Sequence, residues 1–575
     1  MKRTDVNRKL PIALVALVLL VIPGAIWLAA QQKDAAKQAQ PAVRVTTRLV
    51  IVDVVATDNH GHQVTDLTRD DFTVLERGKT QAISIFNYEQ PLSSAQNASA
   101  PPPLPLHVYT NSPEYRRSPG PPTFLLLDGL NTAPGDQVAS REQLLGYVAT
   151  QIKPDQPVAV LSLTDRLYVL QDFTSDPAML RAALLKFTAK KSHQMARGEP
   201  RTVTSLEAQQ MTPQMLEAIN RFNQGNFVES VRDRVKITLA AMRTIARIAA
   251  GFPGRKILLW ISAGFPLTFL PGQDATSGPP ENFSDDIREA TAKLSDAQVA
   301  VYPVDARGLV GQEDTRGITN DLVDTVQQSG APDGGQVPPS HRLENVSMSN
   351  LAMESIAADT GGLAITNHND LGRAVAMTLA DGSSYYTLGF YPADPELDGK
   401  FRRIDVKVAR KGLKLRYRRG YFASGPGPGQ PDGKSEKQID DEILTALADP
   451  LPDTAVTFRA YVPVPKPAAR AQVEIQFLVD TQSILFQPLA GGGQESELEF
   501  VVAALTPEGK TIGIQGKTVN ARLKPEEYAL MRQGGLPFRM QVELEPGNYQ
   551  LRLAVRDNRS GWIGTLDLPL ALPKP

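Results

Sequence analysis

Between residues 123 and 362 short apolar runs alternate with stretches of helical spacing, and this alternation restricts the fold more than any other feature of the chain. Residues 124–127, 158–163, 256–261 and 299–304 read as buried strands, whereas 140–152, 177–187, 231–250, 285–297 and 351–359 carry helical periodicity, the last closed by Gly361 and Gly362. A strand that returns through a helix pairs in parallel, and a parallel sheet must be covered on both faces. The expected fold class is therefore α/β, a doubly wound, mostly parallel sheet. Three polar stretches, 189–229, 268–282 and 314–345, read as loop insertions at one end of that sheet.

With 575 residues the chain is too long for one core, and a hydrophobic content of 42% lets most of it fold. Residues 41–92 read as a small β domain: a β-branched run ends at Asp58-Asn59-His60-Gly61, and two short strands flank Arg77-Gly78-Lys79. A proline-rich linker follows at 93–122. The α/β domain then extends over 123–424, closed by the alternating stretches 385–391, 401–408 and 413–417. A Gly/Pro linker occupies 425–437, and 438–575 reads as a short helix followed by six strands, a β-sandwich of immunoglobulin-like type.

The first forty residues set the expected compartment. Lys2, Arg3, Arg8 and Lys9 precede an uncharged run over residues 10–30, the length of a membrane-spanning helix with its cationic flank in the cytoplasm. The expectation is a transmembrane signal anchor; the alternative is a signal peptide cleaved after Leu28-Ala29-Ala30. Lys and Arg number 61 against 62 Asp and Glu, so no global field attracts a polyanion, and nucleic acid is not an expected partner. The absence of cysteine removes disulfides, thiolate catalysis and Cys-ligated zinc.

The segment Phe124-Leu125-Leu126-Leu127-Asp128-Gly129-Leu130-Asn131-Thr132 delivers a carboxylate to the C-terminal end of a buried strand, where open α/β sheets bind ligands. Taken with Asp172-Phe173-Thr174-Ser175-Asp176, Val299-Ala300-Val301-Tyr302-Pro303-Val304, Ala357-Ala358-Asp359-Thr360-Gly361-Gly362 and Tyr385-Tyr386-Thr387-Leu388-Gly389-Phe390-Tyr391-Pro392, it resembles the von Willebrand factor type A family, and more narrowly an acidobacterial group with a related domain. The resemblance covers about residues 43–425. It implies a Rossmann-like sheet whose first strand ends in Asp-x-Ser-x-Ser, the core of a metal-ion-dependent adhesion site.

Carried over residue by residue, Asp128 matches the first aspartate, Leu130 stands where the first serine belongs, and Thr132 replaces the second. The family's later aspartate falls on Ala263. Asp128 and Thr132 are thus the metal candidates, with Asn131 and Ser262 as helpers, and the missing oxygens imply no tight cofactor and at most weak Mg²⁺ or Ca²⁺ binding. A carboxylate before glycine serves equally well as a turn former or helix cap.

Other constellations fail on inspection: a haloacid-dehalogenase type site lacks its second Asp at Leu130, and there is no phosphate loop, zinc-protease helix or nucleophile elbow. Asp165, Asp305, His60 and His62 read as turn or solvated residues, and the basic stretch 402–419 as a solvated sheet face. The expected function is an envelope-anchored protein that binds or scaffolds a protein partner outside the cytoplasm and is not an enzyme. A metal-dependent hydrolase using Asp128 is the competing expectation.

Overall fold

The computed structural model describes residues 49–574 apart from 90–100, 117–121, 152–156, 200–202, 204, 266–267, 270–280, 309–338, 367–369, 395–397, 399, 424–434 and 490. The expected membrane segment and the Gly/Pro run at 425–429 lie outside the described residues. No helix among the described residues is long and apolar enough to cross a membrane.

Four strands open the described chain: β1 (Val50–Thr57), β2 (Phe72–Glu76), β3 (Lys79–Gln81) and β4 (Ile83–Glu89). Arg77 and Gly78 both take positive φ, 48° and 79°, in the turn that lets β2 fold back on β3. After β5 (Val108–Thr110) the α/β layer begins with β6 (Thr123–Asp128), α1 (Pro134–Gln151), β7 (Val158–Leu163), β8 (Leu167–Thr174), α2 (Pro177–Lys186), α3 (His193–Gly198) and α4 (Ser205–Gln210). It continues through α5 (Pro213–Ala249), β9 (Lys256–Ser262), the two-residue pair β10 (Thr268–Phe269) and β11 (Glu281–Asn282), α6 (Ser284–Asp296), β12 (Val299–Asp305), α7 (Pro339–Thr360) and α8 (Leu371–Ser383).

The central sheet has the order β12-β9-β6-β7-β8, parallel throughout except for β8, which runs antiparallel at the edge. Alternation along β6 explains the three layers. Phe124 and Leu126 face a core shared with Val235, Met242 and Ile245 of α5, Leu294 of α6 and Ile356 of α7. Leu125 and Leu127 face the opposite core, with Leu144 of α1, Leu184 of α2 and Val375 of α8. Because successive strand side chains point to opposite faces, an unbroken apolar strand buried on both sides is what such a sheet requires.

The stretch 189–229, expected to be loop, is largely helical. Its polar composition conceals α3, α4 and the first half of α5, which Thr212 caps by accepting from Met215 N at 3.3 Å with Pro213 at the first helical position. α5 is 37 residues long, and its burial becomes regular only from Phe227, so the exposed first half carries no apolar stripe to read.

The strands expected to close the α/β domain pair elsewhere. β13 (Tyr385–Phe390) inserts between β1 and β4, β15 (Lys414–Arg416) extends β1, and β14 (Phe401–Val408) pairs with β2 and with β16 (Gly420–Phe422). Val52, Val54, Phe72 and Val74 from before the α/β layer share a core with Tyr386, Leu388, Ile404 and Val406 from after it. The small β unit is therefore discontinuous. Four short strands cannot bury a core alone, and the later strands supply its other half.

The C-terminal part holds α9 (Glu436–Ala448), β17 (Phe458–Tyr461), β18 (Ala471–Val479), β19 (Gln487–Pro488), β20 (Gln494–Leu505), β21 (Thr511–Leu523), α10 (Pro525–Gly534), β22 (Leu536–Leu544), β23 (Gly547–Asp557) and β24 (Ile563–Leu572). Two sheets, β22-β18-β17-β5 and β19-β20-β23-β24 with β21 on the free side of β20, enclose one core of alternating residues such as Val473, Phe477, Phe500 and Leu553. The long β21 escaped the sequence pattern because it is exposed on both faces over most of its length. β5, within the expected linker, pairs with β17.

Two buried polar clusters join these parts. Arg247 at the end of α5 bonds Asp449 and, at 3.1 Å, Asp453, while Asn111 donates to the Asp453 and Val456 carbonyls at 3.0 and 2.9 Å. Burial raises the Asp453 carboxyl well above the usual range, with Arg247 pulling the other way. At the start of β9, Arg255 donates to Tyr302 and to the Gly361 carbonyl, Tyr385 accepts from Arg255 N at 2.9 Å, and Lys256 Nζ donates to the Phe252 carbonyl at 2.7 Å.

Candidate functional site

β6 connects through α1 to β7 on one side, while β9 lies on its other side, so the strand order reverses at β6, and the C-terminal ends of β6 and β9 are the place where open α/β sheets bind ligands. Asp128 and Ser262 are the last residues of those two strands. The structure brings the two strand ends together and determines how their side chains are occupied.

Asp128 is 2% exposed, and both carboxylate oxygens are surrounded by donors. Oδ1 accepts from Leu130 N at 3.1 Å, Asn131 N at 2.9 Å and Asn131 Nδ2 at 3.3 Å. Oδ2 accepts from Asn131 Nδ2 and Trp260 Nε1, both at 3.0 Å, and from Ser262 Oγ at 2.8 Å. Burial raises the carboxyl above its ordinary value, opposed by the bonds from Asn131, Ser262 and Trp260. Every neighbour presents hydrogen to the carboxylate, an arrangement that stabilises the anion and fixes the turn after β6.

The other three sequence candidates are all brought to this point. Asn131 Nδ2 also reaches Thr238 Oγ1 of α5 at 3.0 Å. Thr132 does not touch Asp128 through any bond found; its Oγ1 accepts from Ala263 N at 3.1 Å, tying the β6 turn to the end of β9. Leu130, which replaces a hydroxyl in the family pattern, is fully buried in the core against α5.

A second tier of contacts has no signature in the sequence pattern. Gln137 of α1 donates to the carbonyls of Gly129, Thr132 and Lys190 at 3.3, 2.6 and 3.0 Å and accepts from Lys190 N at 3.0 Å. Ser192, the cap of α3, donates to the Leu130 carbonyl at 3.0 Å. For Trp260 the available signal is that a tryptophan inside an apolar strand needs an acceptor for its N–H; that the acceptor is Asp128 is set by the packing of β9 beside β6.

Asp165, His60 and His62 lie apart, whereas Asp305 sits beside Ser262 in the β12–β9 register with its carboxylate turned to Arg307. Asp305 ends β12 and accepts from Arg307 N, Nε and Nη2 at 3.0, 2.8 and 2.8 Å. Asp165 accepts from Thr164 and Tyr168 hydroxyls in an exposed turn. His60 and His62 donate their backbone N–H to Asp58 Oδ1, each at 2.8 Å, in another exposed turn. Among the described residues no three of His, Cys, Asp or Glu are grouped to hold a metal. The basic stretch 402–419 is not uniformly solvated: Arg402 is 1% exposed and pairs with Glu76, Asp394 and Asp398, whereas Arg403 is exposed.

No protein-family model matches the chain, and no curated protein matches its sequence. Similar solved structures include an aerotolerance-related membrane protein from Bacteroides fragilis carrying multiple mutations to serine, 15% identical with a TM-score of 0.23, covering 45% of this chain and 99% of that one. BatB from Bacteroides thetaiotaomicron is 13% identical with a TM-score of 0.22 over 46% and 98% of the two chains. Proximal thread matrix protein 1 from the mussel byssus, with a zinc-occupied MIDAS motif, is 11% identical with a TM-score of 0.20 over 48% of each chain. At these scores the functional reading has to come from the site itself.

Proposed function

We propose that the chain is a binding or scaffold protein of the von Willebrand factor type A class, tethered at a bacterial envelope through residues 10–30, that recognises a protein partner with the end of its sheet around β6 and β9 without a resident metal. One observation carries this reading: the Asp128 carboxylate is already saturated by two backbone N–H groups, Asn131, Trp260 and Ser262.

A divalent cation requires lone pairs from about six oxygens. Here the Asp128 lone pairs accept hydrogen, Thr132 Oγ1 accepts from Ala263 N, and the positions that would supply a further hydroxyl and carboxylate are Leu130 and Ala263. These residues do not suit such an ion. The hydrolase alternative needs convergent titratable groups around Asp128 and a path for substrate to reach it. Asp128 is buried, and its partners are neutral donors, so the geometry favours recognition over chemistry.

Calorimetric titration with Mg²⁺, Ca²⁺ and Mn²⁺ tests the metal-free reading. The expected result is no binding tighter than about 1 mM. A micromolar dissociation constant that Asp128→Ala abolishes would restore a metal-dependent mechanism. The double substitution Leu130→Ser with Ala263→Asp is expected to create binding. Recognition itself is tested by capture from envelope extracts in the presence of a chelator; a partner retained only when divalent cation is added back refutes the proposal.

A further inference from the structure

A cleft of about 920 Å³ opens between the outer face of β14 and β16 and the ends of α6 and α7. It lies at the opposite end of the sheet from Asp128: Gly361 and Gly362 line it, and Gly361 accepts from Arg255 at the beginning of β9, whereas Asp128 bonds Ser262 at the end of the same strand. Seven residues of strand separate those levels by roughly 20 Å. The cleft is therefore a second site, independent of the reading above.

Its walls have a definite chemistry. Phe401 and Phe422 meet edge to face at 5.4 Å on the sheet side, and Phe401 remains 41% exposed. Gly420 keeps that wall concave: a Cβ there would meet the Phe401 ring at 2.5 Å and the Arg402 carbonyl at 2.4 Å. The helix side is paved with the small residues Ala292, Ala357 and Ala358.

Around this apolar floor stand four arginines: Arg288 on α6, Arg403 on β14 and Arg419 just before β16, with side chains 52%, 74% and 61% exposed, and Arg416 on β15, 23% exposed and paired with Asp381. Arg419 lies 3.7 Å from Asp359, which is 23% exposed and also faces Arg288, whereas Arg288 and Arg403 pair with the more exposed Asp285 and Asp405, each at 3.1 Å. Such exposed pairs contribute little and exchange readily for a ligand's carboxylate. Burial raises the Asp359 carboxyl, with Arg419 and Arg288 opposing.

The geometry points to a docking site for an extended acidic peptide segment of a partner protein, its carboxylates on Arg288, Arg403 and Arg419 and an apolar side chain against Phe401 and Phe422. Four arginines against Glu354, Asp359 and Asp405 leave the lining net positive, which favours an acidic occupant. Phe401, Arg403 and Asp405 alternate at two-residue spacing along β14, the same period at which an extended peptide presents its side chains. The volume lies near the upper end of the roughly 300–1,000 Å³ of ligand pockets.

The test is fluorescence anisotropy on the full chain with a labelled Gly-Asp-Phe-Asp-Leu-Asp-Gly peptide and its counterpart with every Asp replaced by Asn. The acidic peptide is expected to bind about tenfold more tightly or better. Arg403→Glu combined with Arg419→Glu should remove that preference, and Phe401→Ala should weaken both peptides, with circular dichroism unchanged because these side chains are exposed. Three outcomes overturn the proposal: no binding at about 1 mM peptide, equal binding to the wild type and the charge-reversed variant, or tighter binding of a single-stranded oligonucleotide that the same variants abolish.

Discussion

Replacing Lys256 with methionine isolates the contribution of one buried charge. Lys256 opens β9 at 1% exposure, and its ammonium makes one hydrogen bond, to the Phe252 carbonyl at 2.7 Å. Burial lowers its pKa from 10.5 to about 7, with the Asp53 carboxylate on β1 pulling the other way. The nearby hydroxyl of Tyr385 on β13 is pushed up to about 12, and Arg255 is held protonated by Tyr302 and Asp53 against its burial, so neither titrates between pH 7 and 10. In that window the unfolded chain keeps a proton that the folded chain has released, so stability rises with pH; below pH 7 both states are protonated and the full penalty applies. A displacement from 10.5 to about 7 corresponds to a penalty of about 5 kcal/mol.

Methionine retains an unbranched apolar stem and removes the charge, but it leaves the Phe252 carbonyl without its donor, at about 1–3 kcal/mol. Lys256→Met should therefore be about 2–4 kcal/mol more stable than wild type at pH 6, with the advantage shrinking near pH 9 and reversing by pH 10.5. Urea unfolding followed by fluorescence in a Trp27→Phe, Trp562→Phe background leaves Trp260, inside the α/β core, as the reporter. A difference that stays constant from pH 6 to 10, or a variant less stable at pH 6, would refute the argument.

Asp128→Ala should destabilise the α/β core by about 3–5 kcal/mol, because it strands the Trp260 N–H, the Ser262 hydroxyl and two backbone N–H groups; the urea midpoint read by Trp260 measures it, and a loss below about 1 kcal/mol would mean the turn does not depend on the carboxylate. Gly251→Ala places a Cβ 2.1 Å from the Thr454 carbonyl, at the contact that ties the end of α5 to the β-sandwich; thermal unfolding should show a loss of about 1–3 kcal/mol, and an unchanged transition would show that this contact yields freely.

The α/β layer was legible because its strands are apolar on both faces and its helices periodic: 124–127, 158–163, 256–261 and 299–304 all become β6, β7, β9 and β12 with little change in bounds. What only the tertiary structure decided are the pairings between distant segments. The pattern of residues 385–417 shows strands but carries no label for their partners, and the choice of β1, β2 and β4 over the α/β sheet follows from the half-core those strands lack. β5 likewise looks like linker until β17 supplies its ladder. At the candidate site, the end of an apolar strand marked Asp128, and the resemblance to the type A family is what added Asn131, Thr132 and Ser262 to it. Whether the Asp128 oxygens face a ligand or the protein depended on Trp260 reaching across from the neighbouring strand, because occupancy of a buried carboxylate is set by which donors the packing brings within 3 Å.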